Sequence, residues 1–240
     1  PTGVDMSKMK IEISSLRAKK FGLDLFSKLV AYLPYYAPIV SKFSLIMNLR
    51  DKLPGLAKLS EVFLGFTSKR PLPKWRNNYF KNKELPNNLN EIKNTTPVIL
   101  FVDTFNRYYE PENVRSAINV LKKAGYYPFI PTLSNSRKIL CCGRTYLSNG
   151  LIDNAKKEML NILNAFRQYL KQGISVVGLE PSCILSFRDE IPSLIKSEDT
   201  EYLKKNSYTF EELLFKKSKK IKFRSLNKKV LLHGHCHQKA

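Results

Sequence analysis

Apolar residues fall into two kinds of pattern along the chain. Near the start, Val4, Met6, Met9, Ile13 and Leu16 recur at helical spacing, and Gly22 marks a stop. Leu25, Leu29, Ala31 and Leu33 predict a second helix that Pro34 ends. Two more are predicted over Ile39 to Leu49 and over Pro54 to Leu64, the latter with proline at its start and Gly65 at its end. Residues 1–66 thus read as a small all-helical appendage, apolar and studded with lysine. Residues 67–96 (TSKRPLPKWRNNYFKNKELPNNLNEIKNTT) are polar, proline-punctuated and without a period, as a linker or extended arm would be.

From Pro97 the pattern changes. Val98 to Val102 is a continuous apolar run, the mark of a strand buried on both faces. Pro111 to Ala124 carries Val114, Ala117, Ile118 and Leu121 on one helical stripe, closed by Gly125. Tyr127 to Pro131 predicts a second strand, Leu151 to Gln172 a long helix, and Ile174 to Leu179 a third strand. The long helix sets Ile152, Ala155, Met159, Ile162, Leu163, Phe166 and Leu170 towards the core. Helices follow over Ile184 to Ile195 and Tyr208 to Phe215, then a fourth strand over Val230 to His233. Alternation of this kind predicts an α/β domain over residues 97–240, a parallel β-sheet flanked by helices.

Composition narrows the options. At 240 residues the chain can bury a sizeable core, and a hydrophobic fraction of 43% is that of a globular protein. No apolar run approaches the roughly 20 residues of a membrane span. No secretory signal pattern opens the chain, so reduced thiols in the cytoplasm are expected. The opening without Met suggests a segment of a longer polypeptide. A net charge of +21 admits a polyanion or an anionic membrane surface as partner. The lysines are spread along the chain among many asparagines, however, as an A- and T-rich genome would encode. No Gly-x-Gly-x-x-Gly or Walker-type loop is present, which argues against a dinucleotide bound here, and no feature points to specific nucleic-acid recognition.

The chemistry lies with the four cysteines. Cys141 and Cys142 are adjacent, and Gly143 after them permits a turn that aims both sulfurs into one site. Cys183 follows Gly178-Leu179-Glu180-Pro181-Ser182, a strand end breaking into a helix start. Cys236 sits in His233-Gly234-His235-Cys236-His237, which holds every histidine in the chain. In parallel sheets, ligands gather outside the carboxyl ends of the strands. Asp103, Cys141, Cys142, Cys183 and Cys236 each lie at or just past such an end, so the fold is expected to bring them to one rim. Thiolates suit iron–sulfur clusters, zinc or Cu(I). Asp103, His235 and His237 are additional metal-ligand candidates. Against these stand two plainer readings: cysteines that are merely buried, and a non-enzymatic basic module with zinc on Cys236 and its histidines. No nucleophile elbow supports Ser–His–Asp catalysis, and no catalytic residue is assigned.

These motifs resemble a known family. Cys141-Cys142-Gly143 resembles the signature of the CCG-type cysteine-rich domain, found in heterodisulfide reductases and in iron–sulfur subunits of glycolate and lactate oxidases. CCGRTYLSNGLIDNAK, GLEPSCILSFRDE, LLHGHCHQKA and FVDTFNRYYEP together are similar to the C-terminal part of FAD-linked D-2-hydroxyacid dehydrogenases. Pro1-Thr2-Gly3-Val4-Asp5 resembles the sequence just after a ferredoxin-type cluster motif. The resemblance implies a Rossmann-like domain that passes electrons from FAD, bound elsewhere in the protein, to an acceptor such as a quinone or electron carrier. It implies flavin oxidase and ferredoxin-type modules as partners, and a cytoplasmic site on or near the inner face of the membrane. It also implies Cys141, Cys142 and Cys183 as ligands of an iron–sulfur cluster of 4Fe-4S type, with Cys236 opening a second repeat completed beyond Ala240. The fullest motif has cysteine where this chain has Asp103 and Ser186, so fewer thiols serve the first repeat here.

Overall fold

A computed structural model describes residues 5–89, 95–133, 138–217 and 227–239, without the side chains of 217, 237 and 239. The helical region consists of α1 (Met6–Phe21), α2 (Leu25–Ala31), α3 (Leu33–Val40), α4 (Ser44–Met47) and α5 (Leu56–Leu64), with short 3₁₀ turns around α4. Asp5 caps α1 and Asp24 caps α2 through their carboxylates, and left-handed Gly55 and Gly65 bracket α5. Pro34 opens α3 instead of merely ending α2, since a first-turn proline has no amide hydrogen to lose.

The remainder alternates strand and helix: β1 (Thr96–Phe101), α6 (Thr104–Tyr108), α7 (Pro111–Lys123), β2 (Tyr126–Phe129), α8 (Arg144–Ser148), α9 (Ile152–Leu170) and β3 (Ser175–Gly178). It continues with α10 (Pro181–Ile184), α11 (Glu190–Leu194), α12 (Glu198–Asn206), β4 (Ser207–Thr209), α13 (Phe210–Lys217) and α14 (Cys236–Lys239). The fold is α/β, as the alternation predicts. All pairings are parallel, in the order β2-β1-β3-β4, and Val98 faces Pro128 on one side and Ser175 on the other. The chain leaves β1 outward to β2, then returns past β1 to β3. The order therefore reverses between β1 and β3, and a crevice opens at their carboxyl ends.

Both faces of the sheet are buried, which explains the unbroken apolar run of β1. Ile99 and Phe101 join Phe129, Val176 and the inner stripe of α9, including Ala155, Met159, Ile162, Leu163 and Phe166. Val98, Leu100 and Val102 point the other way, to Val114, Ile118 and Leu121 of α7 and Leu213 and Leu214 of α13.

Two expectations are corrected. The fourth strand is Ser207–Thr209, at the start of the stretch read as helix, and not Val230 to His233. The latter takes no regular structure; Val230, Leu231 and Leu232 stand 83–98% exposed, with no strand to pair with among the described residues. An apolar run signals a strand only where a sheet edge meets it, and that edge is taken by β4. The helix read over Ile184 to Ile195 is also broken, into α10, a 3₁₀ turn and α11.

The polar stretch after α5 is laid against the sheet domain. Phe80 and Leu85 enter the core, Arg76 and Phe80 amides donate to the carbonyls of Tyr108 and Arg107, and Arg115 pairs with Glu84. Trp75 packs at a tilt against Tyr109, ring centres 4.6 Å apart, and exchanges two hydrogen bonds with Asn48. Gly150, at φ 75°, lets the backbone of α1 pass so close that an added Cβ would lie 2.4 Å from the Ser14 carbonyl carbon.

Candidate thiol site at the strand ends

Cys141 and Cys142 follow β2, and Cys183 lies in α10 after β3. All three are buried, and all line one cavity of about 290 Å³ at the β1–β3 reversal. Asp103, Thr104 and Phe105 close it from the end of β1, Ser182 from α10, and Arg144, Thr145 and Ser148 from α8. Val30 and Pro34 of the helical region form the remaining wall, held there by Thr145, whose hydroxyl donates to the Ala31 carbonyl, and by Tyr32 against Tyr146.

Gly143 has φ 81°, the left-handed conformation the sequence anticipates, and a Cβ there would meet the Ala155 carbonyl oxygen at 3.0 Å. This turn lets backbone amides address the sulfurs. Gly143 N–H donates to Cys141 Sγ at 3.4 Å, and the Arg144 amide to Cys142. Cys142 and Cys183 sulfurs touch at 3.0 Å, between the turn before α8 and α10.

The thiols are held in the neutral form. For Cys141, the hydrogen bond with Cys142 and then burial push the pKa well above the ordinary thiol value. For Cys142, the bond with Cys141 pulls down, but the bond with Cys183 and burial outweigh it. Cys183 gains from its bond with Cys142, yet burial and the nearby Asp103 carboxyl raise it. Asp103 is itself raised by burial, although its oxygens accept from the Phe105 and Asn106 amides and the Asn106 side chain, capping α6. Arg144 lines the cavity and pairs with buried Glu190.

Not every sequence candidate reaches this cavity. Cys236 is exposed at the start of α14, which lies beside α10. His235 is half-buried, and its amide donates to the Gln238 side chain. The side chain of His237, like residues 1–4, lies outside the described residues. Ser186 is buried and its hydroxyl donates to the Cys183 carbonyl. Among the described residues, no three His, Cys, Asp or Glu side chains are spaced to hold a single metal ion. Sequence alone does not single out Arg144, Thr145 and Ser182. Direct succession to the Cys-Cys-Gly turn, or adjacency to Cys183, is the signal that marks them.

Comparison with known proteins points to redox enzymes. No family description matches the chain, and no solved structure matches it. It is 25% identical over 203 residues to a subunit of the anaerobic glycerol-3-phosphate dehydrogenase of Escherichia coli K12, covering 83% of this chain and 50% of that protein. It is 22% identical over 210 residues to D-2-hydroxyglutarate dehydrogenase of the same organism, covering 84% of this chain and 20% of the enzyme. The Haemophilus influenzae D-2-hydroxyglutarate dehydrogenase gives 24% over 209 residues. The chain spans half the length of the first relative and a fifth of the others. Its similarity is thus to portions of dehydrogenases, and it supports an oxidoreductase role.

Proposed function

We propose that this chain is the iron–sulfur electron-transfer portion of a flavin-dependent dehydrogenase acting on a CH–OH group, of the D-2-hydroxyacid type (D-lactate, D-2-hydroxyglutarate or glycolate). The observation that carries this reading is the meeting of three buried thiols, two from the turn before α8 and one from α10, in one cavity, in a chain similar to dehydrogenases. Cys141, Cys142 and Cys183 would hold the cluster, which when bound accepts and returns single electrons. The Cys142 and Cys183 sulfurs, 3.0 Å apart, are closer together than ligands of two different irons, so loading a cluster would part them. A cluster of 4Fe-4S type would need a ligand besides these three thiolates, and Cys236, at the start of α14 beside α10, is the chain's remaining cysteine.

The chain's own groups prepare that site. Val30, Pro34, Phe101 and Phe105 keep water from the sulfurs. The amides of Gly143 and Arg144 point at Cys141 and Cys142, and stabilise negative charge on sulfur. Arg144 lines the cavity too, its guanidinium paired with Glu190. The raised thiols must lose their protons on loading, so cluster assembly is favoured by higher pH. Substrate oxidation takes place on a flavin module, with FAD, outside this segment. A ferredoxin-type module and an acceptor, quinone or soluble carrier, complete the route at the cytoplasmic side of the membrane.

The test is anaerobic purification of the full polypeptide, with iron, sulfide and flavin measured together. Iron and sulfide in comparable amounts are expected, with Cys142→Ser and Cys183→Ser each losing most of the iron and acceptor reduction. Normal iron in both variants, or zinc in place of iron, would sink the assignment.

A further inference from the structure

Two of the cavity thiols are placed for a bond to each other. Cys142 Sγ and Cys183 Sγ lie 3.0 Å apart, both residues are buried, and they stand 41 positions apart in the chain. The left-handed turn at Gly143 presents one sulfur and the first turn of α10 the other. A disulfide holds its sulfurs about 2.05 Å apart, so closure needs a movement of only about 1 Å.

The other pairings are less suited. Cys141 and Cys142 are neighbours, and successive Cα atoms lie about 3.8 Å apart, short of the roughly 4.4 Å that a disulfide ordinarily spans between its Cα atoms. The Cys141 sulfur accepts instead from the Gly143 amide. Cys236 is exposed and does not line the cavity.

A small oxidant has a way in. The cavity extends from these sulfurs to Ser148 and Phe105, both exposed residues. Thr104, Ser148 and Ser182 add hydroxyls to its wall, groups that hydrogen-bond a peroxide as they do water.

We propose that Cys142 and Cys183 form a reversible disulfide in the metal-free protein, with hydrogen peroxide as the oxidant. One sulfur attacks a peroxide oxygen, the O–O bond breaks, and the departing oxygen leaves as water, so that the first thiol becomes a sulfenic acid. The second sulfur attacks that sulfenic sulfur. The S–S bond forms as the S–OH bond breaks, and a second water carries off the second thiol's proton. Two thiols thus lose two electrons and two protons, and the peroxide gains them. A thiol reductant reverses the reaction by exchange. Disulfides of reducing compartments are of this transient kind. The bond takes both sulfurs away from any metal, so oxidation bars cluster loading until the pair is reduced. That consequence rests on the cluster reading; the disulfide itself does not.

The test uses the full polypeptide, stripped of metal with a chelator, reduced, freed of reductant and then treated with hydrogen peroxide in small molar excess. Digestion without reductant and mass spectrometry should find Cys142 linked to Cys183 at least about ten-fold more often than any other cysteine pairing, and dithiothreitol should remove the link. Cys141→Ala should keep it, whereas Cys183→Ala should lose it and leave Cys142 as sulfenic or sulfinic acid. Urea midpoints of the reduced variants show that they fold, and the wild-type result decides the proposal without them. Cys142 and Cys183 recovered with no bond between them, or a dominant link through Cys141 or Cys236, would overturn it. So would the same pairing preference in urea, since the fold would then not be its source. No metal enters the assay, so its failure is separate from that of the cluster assignment, which is read from iron and sulfide.

Discussion

Cys141, Cys142 and Cys183 share a cavity but not the chemistry of Cys236. The first three are buried, with Cys141 and Cys142 pushed well above the usual thiol range and Cys183 raised, whereas Cys236 lies in solvent. The thiolate is the species that reacts with alkylating agents. In metal-free protein at pH 8, iodoacetamide should label Cys236 at least about ten-fold faster than any of the other three, a difference lost in urea. Mass spectrometry of timed samples checks this. Uniform labelling of all four would contradict the burial and the shared proton network of the cavity thiols. These thiols were legible in the sequence because each follows a strand, and strand ends in a parallel sheet share a rim. Arg144 was not, because a guanidinium at a cavity wall depends on which way α8 runs after Gly143. Asp103 was legible as a strand-end residue suited to capping, and it caps α6, a helix itself too short to leave a period.

At the scale of elements, the corner around β4 shows what sequence periodicity misses. Ser207–Thr209 is too short to display an alternation, and it becomes a strand because β3 offers it an edge. Arg188 fixes that corner: its guanidinium donates to the Ser207 carbonyl at 2.6 and 2.9 Å and pairs with Glu212 of α13. The hydrogen bond from Arg188 holds Glu212 below the ordinary carboxylate range. A depressed carboxylate stabilises the fold above its unfolded pKa, and the contribution is lost as pH falls through the folded one. Arg188→Met should therefore cost about 1–3 kcal/mol at pH 7, with part of that difference disappearing below about pH 4. Urea unfolding at both pH values measures it; an equal cost at each would assign Arg188 to its carbonyl bonds alone. The long elements were readable for the opposite reason. The stripe of α9 repeats over five turns' worth of apolar residues, all of which reach the core except half-buried Ile152.

For the molecule as a whole, the helical region is fastened to the α/β domain at several points, Thr145 on Ala31 and Tyr32 on Tyr146 among them, and Gly150 is another. A side chain there would meet the backbone of Ser14 and Ser15 and would strain a left-handed residue. Gly150→Ala should lower stability by about 1–3 kcal/mol and expose α1 to proteolysis before the sheet domain. Limited proteolysis followed by mass mapping reads the order of cleavage; unchanged resistance of α1 would show that the contact is dispensable. The α/β class followed from the alternation of patterns, since no other architecture buries strands on both faces between helices. The packing of the arm did not follow, because Phe80 and Leu85 are isolated apolar residues in a polar stretch. Trp75 lies on that arm, between Asn48 of the helical region and Tyr109 of the sheet domain, and it is the chain's one tryptophan. Indole emission, excited selectively at long wavelength, consequently comes from the seam alone. Separation of the two parts would register as a spectral shift without any dye or tag attached.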